Sequence, residues 1–169
     1  MKRVVVTGPE STGKTTLSKH LSEHFQCSHV VEFARNYLNG LNRPYEQSDL
    51  LLMAKGQLNS ELGFLKQGNL LIEDTDLLTF KIWSEFKYGE CDEWIVSQLK
   101  NNLPDLYLIC YPDLTWEYDP LRENPEDGLE LFDIYKEEIE KLGVPFRIIK
   151  GEGEKRINKG VLAMNEIIF

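Results

Sequence analysis

The chain has 169 residues, 41% of them hydrophobic, enough for one domain that buries roughly 70% of the surface its unfolded form exposes. Nineteen basic against 28 acidic side chains leave a net charge of -9, so nucleic acid and anionic membranes are poor partners unless positive charge gathers in one cleft. The apolar stretch near the first residues is far too short for a signal-sequence core, and nothing later approaches a membrane-spanning run.

Residues 3–7 form a continuous β-branched run that stops at Gly8, the pattern of a strand buried on both faces. A helix is predicted over 15–25, where Leu17, Leu21 and Phe25 share one side. A short strand over 29–33 and a long helix over 46–66 come next. Residues 69–73 read as a third strand, followed by helices over 76–87 and 92–101. A fourth strand covers 106–110, a helix 129–142, a fifth strand 146–149 and a last helix 154–168. Buried strands alternating with helices predict a single α/β domain over 1–169, with a parallel sheet covered on both faces and ligand bound beyond the carboxyl ends of the strands.

The stretch 111–128, YPDLTWEYDPLRENPEDG, is too long and too rich in proline and acid for an ordinary connection. Its aromatic residues and its lone Arg122 favour a lid over a disordered insert. Cys27, Cys91 and Cys110 lie far apart and form no C-x-x-C, which suits a reducing cytoplasm rather than a disulfide framework.

The run Gly8, Pro9, Glu10, Ser11, Thr12, Gly13, Lys14, Thr15 satisfies G-x-x-x-x-G-K-[ST] between a buried strand and an amphipathic helix, with Thr16 next in that helix. Backbone N–H groups of such a loop converge on a phosphate, and the helix adds a dipole equivalent to about +0.5 charge at its start. Lys14 can reach the β and γ phosphates of ATP, and the Thr15 hydroxyl can take one position on Mg2+.

A second signal is the apolar strand ending in Glu73 and Asp74, followed by Thr75 and Asp76. A carboxylate at that edge can hold the magnesium shell, a role assigned to Asp74. The competing reading makes these acids helix caps, more so for Asp76 than for Asp74.

A guanine-nucleotide switch would show D-x-x-G and N-K-x-D; neither is present, and Asn158-Lys159-Gly160-Val161 lacks the aspartate. His20 and His24 match H-x-x-E-H, but they flank the phosphate-loop helix and no third ligand accompanies them. A small-molecule kinase needs an acceptor pocket, a base and a lid that excludes water and brings positive charge. Glu32 and Arg35 lie three residues apart, so a local turn could aim both at a ribose, with Glu32 as base. An ordinary surface ion pair is the alternative. Arg122 could swing over the transferring phosphoryl group, the alternative being a surface arginine.

The segments GPESTGKTTL at 8–17, EFARNYL at 32–38, IEDTDLLTFKIWSEFKYG at 72–89 and YPDLTWEYDPLRENP at 111–125 resemble the ribosylnicotinamide kinase domain of bifunctional NAD-biosynthesis regulators and the stand-alone P-loop ATPase-like proteins grouped with it. The resemblance implies a nucleoside-monophosphate-kinase-like P-loop fold of about five parallel strands, with ATP and Mg2+ as cofactors. It implies phosphorylation of a nucleoside-like hydroxyl, the ribose 5'-hydroxyl of nicotinamide riboside. Carried over by motif, Lys14 and Thr15 serve phosphate and metal, Asp74 the metal region, Glu32 and Arg35 the acceptor, and Arg122 the lid; Asp76 joins the acceptor side. Two positions depart from the family's pattern: Val31 stands where an aromatic residue is usual, and Gly128 where a second basic residue is frequent. The alternative function is an ATP-binding regulatory module with weak ATPase activity and a protein partner. Homo-oligomerisation is left open.

Overall fold

The computed structural model describes residues 1–64 and 68–168. Strands β1 (Lys2–Thr7), β2 (Ser28–Val30), β3 (Leu70–Asp74), β4 (Leu106–Cys110) and β5 (Phe146–Ile149) form one sheet in the order β2-β3-β1-β4-β5. All four pairings are parallel, so the expected five-stranded parallel sheet is the one found. The connecting helices are α1 (Lys14–His24), α2 (Phe33–Asn39), α3 (Gln47–Phe64), α4 (Leu77–Tyr88), α5 (Glu93–Asn101), α6 (Gly128–Leu142) and α7 (Gly153–Ile167). Among the described residues no helix is long and apolar enough to cross a membrane.

Alternation along the strands sorts the core into two layers. Val4 and Val6 of β1, with Ile72, Leu106 and Leu108, pack against Leu17 and Leu21 of α1 and Ala163 and Met164 of α7. Val5, Tyr107 and Ile109 point the other way, toward Leu50 and Met53 of α3, Leu78 of α4, Ile95 of α5 and Ile139 of α6. β1 is paired on both sides and its Val4, Val5 and Val6 are wholly buried, which is why its sequence is a β-branched run rather than an alternating one.

One predicted strand is corrected. The expected strand over 29–33 stops at Val30, and residues 33–39 wind into α2. The reason is tertiary: Phe33 and Tyr37, one turn apart with ring centroids 6.4 Å from each other, pack against the α3 side of the core. Seven residues carry too little periodicity to announce such a helix. The predicted end of the long helix at residue 66 lies outside the described residues. Asp76 and Asp92 are caps rather than helix members: Asp76 Oδ1 accepts from the Leu78 N–H at 3.1 Å and Asp92 Oδ1 from the Trp94 N–H at 2.8 Å.

A polar network lies within the larger layer. Arg3 donates to Glu73 at 2.7 Å and to Glu61 of α3 at 3.0 Å, while Asp76 accepts from the Tyr107 hydroxyl at 2.5 Å. One guanidinium thus faces several buried acids. Burial pushes the Asp76 carboxyl up to about 7, with the Tyr107 hydrogen bond opposing the rise. Burial likewise drives Glu61 upward, the Glu73 charge adds to the shift and Arg3 only partly offsets it. A carboxyl whose pKa is raised on folding stabilises the fold fully below its ordinary range, about 4.3, and that contribution is lost as pH rises toward the folded value. Glu61→Gln removes this linkage, so its urea midpoint should fall less between pH 5 and pH 8 than that of the wild type. Parallel declines would contradict the assignment.

Candidate active site at the carboxyl ends of the strands

The three central strands end side by side, since Val6 is in register with Asp74 and Thr7 with Ile109. The chain leaves β1 through Gly8, at φ 131, where a Cβ would lie 2.7 Å from the Cys110 carbonyl oxygen, a contact no side chain tolerates. Ser11 at φ 57 and Gly13 at φ 76 give the loop its left-handed turns, the alternation that curls backbone N–H groups around an anion. Gly13 is the N-cap of α1 and supplies no side-chain cap, so the orphan amides at the start of α1 are left for a ligand. The Thr12 hydroxyl donates to the Pro9 carbonyl at 2.7 Å and the Lys14 ammonium reaches across to the same oxygen at 2.7 Å.

Behind the loop stands a residue that the motif search missed. Arg156 of α7, buried to 4% exposure, donates to the Thr12 carbonyl at 2.7 Å, the Tyr111 carbonyl at 2.8 Å, the Gly151 carbonyl at 2.6 Å and Asp113 at 2.7 Å. One planar fork therefore ties the phosphate loop to the root of the 111–128 segment and to the turn after β5.

A cleft of about 450 Å3 opens beside the loop, lined by residues 10–16 together with Glu32, Arg35 and Trp83 and, from the 111–128 segment, Leu121 and Arg122. Of the residues expected at the site, Glu10, Ser11, Thr12, Gly13, Lys14, Thr15, Thr16, Glu32, Arg35 and Arg122 line this one cavity. Gly8 and Pro9 do not line it. Glu32 sits at the N-cap of α2, and burial raises its pKa, opposed by the Lys14 charge and reinforced by that of Asp74. Asp76 is not brought to the cleft; it is 2% exposed and spent on its cap and on Tyr107. Trp83 of α4, whose place on a helix gave no motif, lines both this cleft and an adjoining cavity of about 300 Å3.

Asp74, at the end of β3, is 1% exposed and does not itself line the cleft; it lies behind Thr15 and Lys14, and neither carboxylate oxygen makes a hydrogen bond of good geometry among the described residues. Burial raises its pKa, while the neighbouring Thr15 hydroxyl and the Lys14 charge pull it down. A buried carboxylate beside a threonine hydroxyl fits a divalent cation of the hard, oxygen-seeking kind. No group of three or more His, Cys, Asp or Glu that could hold a metal occurs among the described residues, so such an ion would take its remaining ligands from water and phosphate. His20 bonds the Thr16 carbonyl at 2.8 Å and His24 packs edge-on against Phe25.

The 111–128 segment lies over the loop and is pinned from several directions. Glu10 accepts from the Glu123 and Asn124 amides, each at 3.0 Å. Ser11 Oγ accepts from the Glu117 amide at 2.9 Å and from Arg122 Nη1 at 3.2 Å, and Arg35 pairs with Asp119 at 2.9 Å. Glu123 also holds Lys87 at 3.0 Å, whose ammonium rests 3.8 Å above the Tyr45 ring.

A model of the protein family described as AAA domain matches residues 3–156. None of the curated proteins compared with the chain matches it. Among solved structures, a NadR protein in complex with NR superposes with a TM-score of 0.76 at 24% identity, covering 98% of this chain and 51% of that one. A NadR protein in complex with NAD and AMP-PNP gives 0.76 at 21% identity, with 98% and 49% covered. Thymidylate kinase from Ehrlichia chaffeensis gives 0.68 at 18% identity, with 99% and 98% covered. The chain thus spans about half the length of the NadR chains it matches. What is shared at these identities is the fold, and it is the fold expected from the motifs.

Removing the buried guanidinium strands three carbonyls and one carboxylate. Arg156→Ala should therefore lower the unfolding free energy by about 3 kcal/mol, measured by urea titration; a loss too small to resolve would show that the clamp contributes nothing.

Proposed function

We propose that this chain, which belongs to the AAA domain family, is an ATP-dependent phosphotransferase for a nucleoside-like alcohol, acting as one cytoplasmic P-loop domain. Nicotinamide riboside is the proposed acceptor and nicotinamide mononucleotide the product. The observation that supports the reading best is the meeting, in one cleft, of an anion-ready loop, the half-buried carboxylate of Glu32 and two arginines, Arg35 and Arg122. A nucleotide-binding loop alone calls for no base beside it; Glu32, raised by burial and adjoining Lys14, is such a base.

In the proposed reaction the loop amides and the Lys14 ammonium, released from the Pro9 carbonyl, hold the β and γ phosphates of ATP. Magnesium bound at Thr15 and Asp74 would offset charge on those phosphates. The acceptor hydroxyl lies between Glu32 and the γ phosphorus. Its oxygen forms the new bond to phosphorus, the bond to the β-phosphate oxygen breaks, and the proton passes to the Glu32 carboxylate. Arg122, 3.2 Å from Ser11 Oγ on the phosphate loop, turns to face the equatorial oxygens. Arg35 exchanges Asp119 for the acceptor's ribose. The lid excludes water, so transfer to the acceptor prevails over hydrolysis.

Purified protein, ATP and a panel of nucleosides including nicotinamide riboside should give a phosphorylated nucleoside; no product from any acceptor would refute the reading. Lys14→Ala should abolish that turnover without loss of fold, as read by circular dichroism. Glu32 must be ionised to accept a proton, so kcat/KM should rise with pH through its raised pKa and level off above it. Glu32→Gln should lower kcat by about 100-fold or more and erase that acidic limb. An unchanged profile in the variant would assign the limb to another group.

A further inference from the structure

Glu32 is the N-cap of α2 but makes no side-chain cap hydrogen bond, so its position depends on how the first turn of α2 is held. The holder is Gln57 of α3, which is wholly buried. Its Oε1 accepts from the Phe33 N–H at 2.9 Å, and its Nε2 donates to the Thr75 carbonyl at 3.3 Å. The two demands fix the orientation of the amide, because an N–H needs an acceptor and a carbonyl needs a donor. One end thus grips the residue after Glu32 and the other the residue after Asp74.

Both gripped segments need a partner. The Phe33 N–H is one of the orphan donors at the start of a helix, and Thr75 turns the chain at φ 66, in the left-handed region that a β-branched residue seldom adopts. Next door, Gly56 accepts the Phe33 ring: a Cβ there would lie 2.2 Å from the ring carbons. Gly56 and Gln57 therefore seat the first turn of α2 by steric fit and by hydrogen bond at once. The buried positions of α3 one turn before it, Met53 and Ala54, and the adjacent Leu58 are apolar, while Glu61 one turn after is taken by Arg3, and an amide placed here loses its hydration unless both ends are bonded. Leucine would serve packing better.

Resting on the phosphotransfer reading above, we propose that Gln57 is a positioning residue: its single planar amide sets the separation of Glu32 from Asp74, and with it the place of the acceptor hydroxyl relative to the phosphates. Gln57 touches neither substrate. It acts through the Phe33 amide and the Thr75 carbonyl, and Gly56 supports it by admitting Phe33.

The test uses Gln57→Leu, which removes both bonds, Gln57→Glu, which keeps an acceptor for Phe33 but loses the donor to Thr75, and Gly56→Ala, which displaces the Phe33 ring. Wild-type acceptor phosphorylation is established first, and its absence overturns this proposal together with the reading it rests on. Given that turnover, kcat in folded Gln57→Leu and Gly56→Ala should fall about ten- to hundredfold, with KM for ATP within twofold, because the phosphate loop is untouched. Gln57→Glu should fall between these and the wild type. Hydrogen exchange at the Phe33 amide should quicken at least tenfold in Gln57→Leu and stay slow in Gln57→Glu, a readout independent of turnover. A purely structural glutamine would lower the urea midpoint while leaving kcat per folded molecule unchanged. That result, or an undiminished protection of the Phe33 amide in Gln57→Leu, overturns the proposal and leaves the phosphotransfer reading standing.

Discussion

Backbone amides that have nowhere to donate are the constraint from which the rest of the molecule follows. Where β1 gives way to α1, Gly13 caps the helix without a side-chain bond and Ser11 curls the loop through a left-handed turn. Such amides cost free energy unless an anion or water satisfies them. The protein therefore builds a rigid frame that prevents the loop from collapsing. Gly8 is pressed against the β4 backbone on one side, and Arg156 grips the Thr12 carbonyl on the other. The sheet order places β1 between β3 and β4, so an acid from β3 and the 111–128 segment from the end of β4 flank that loop.

Charge is distributed to the same end. A chain of net charge -9 repels a nucleoside triphosphate at long range; the cleft sets Lys14, Arg35 and Arg122 among Glu10, Glu32, Glu117 and Glu152, with Arg156 directly behind the loop. Of these cations only Arg156 is buried, at 4% exposure, where a charge counts for more than at the surface; the Arg35 side chain is 44% exposed. Among the described residues, Arg35 and Arg122 already hold protein partners on the lid or the loop. In the proposed reaction the placement of the 111–128 segment and substrate binding are coupled, because the same guanidiniums that hold this segment and the loop are those the reaction calls on. Glu10 adds to this coupling, because its carboxylate holds the two amides that follow Arg122.

The elements that could be read from the chain are those whose signal is local. β4 and β5 fall on their expected residues, and β1 and β3 differ by a residue at their ends; the cores of β1, β3 and β4 are buried on both faces and so are apolar, while β5, an edge strand with Arg147 exposed, shows as a short apolar run. The phosphate loop was legible because its chemistry demands glycines and a lysine at fixed spacing. What stayed hidden is held by tertiary contact. α2 exists because Phe33 fits over Gly56 and its N–H finds Gln57, facts no periodicity encodes. Arg156 and Trp83 lie on helices as unremarkable arginine and tryptophan positions until the fold carries Arg156 behind the phosphate loop and Trp83 to the cleft. Asp76 shows the reverse case: an acid beside a functional strand end, yet consumed by a helix cap and a buried tyrosine.

The claim on which all this stands is that residues 8–15 enclose the phosphates of a nucleotide. Isothermal titration of the purified protein with ATP and excess magnesium addresses it without reference to any acceptor. Saturable heat at a stoichiometry of about one per chain, much weaker with AMP because the β and γ phosphates are what the loop holds, is the predicted result. No heat at millimolar ATP, or equal affinity for AMP and ATP, would contradict it.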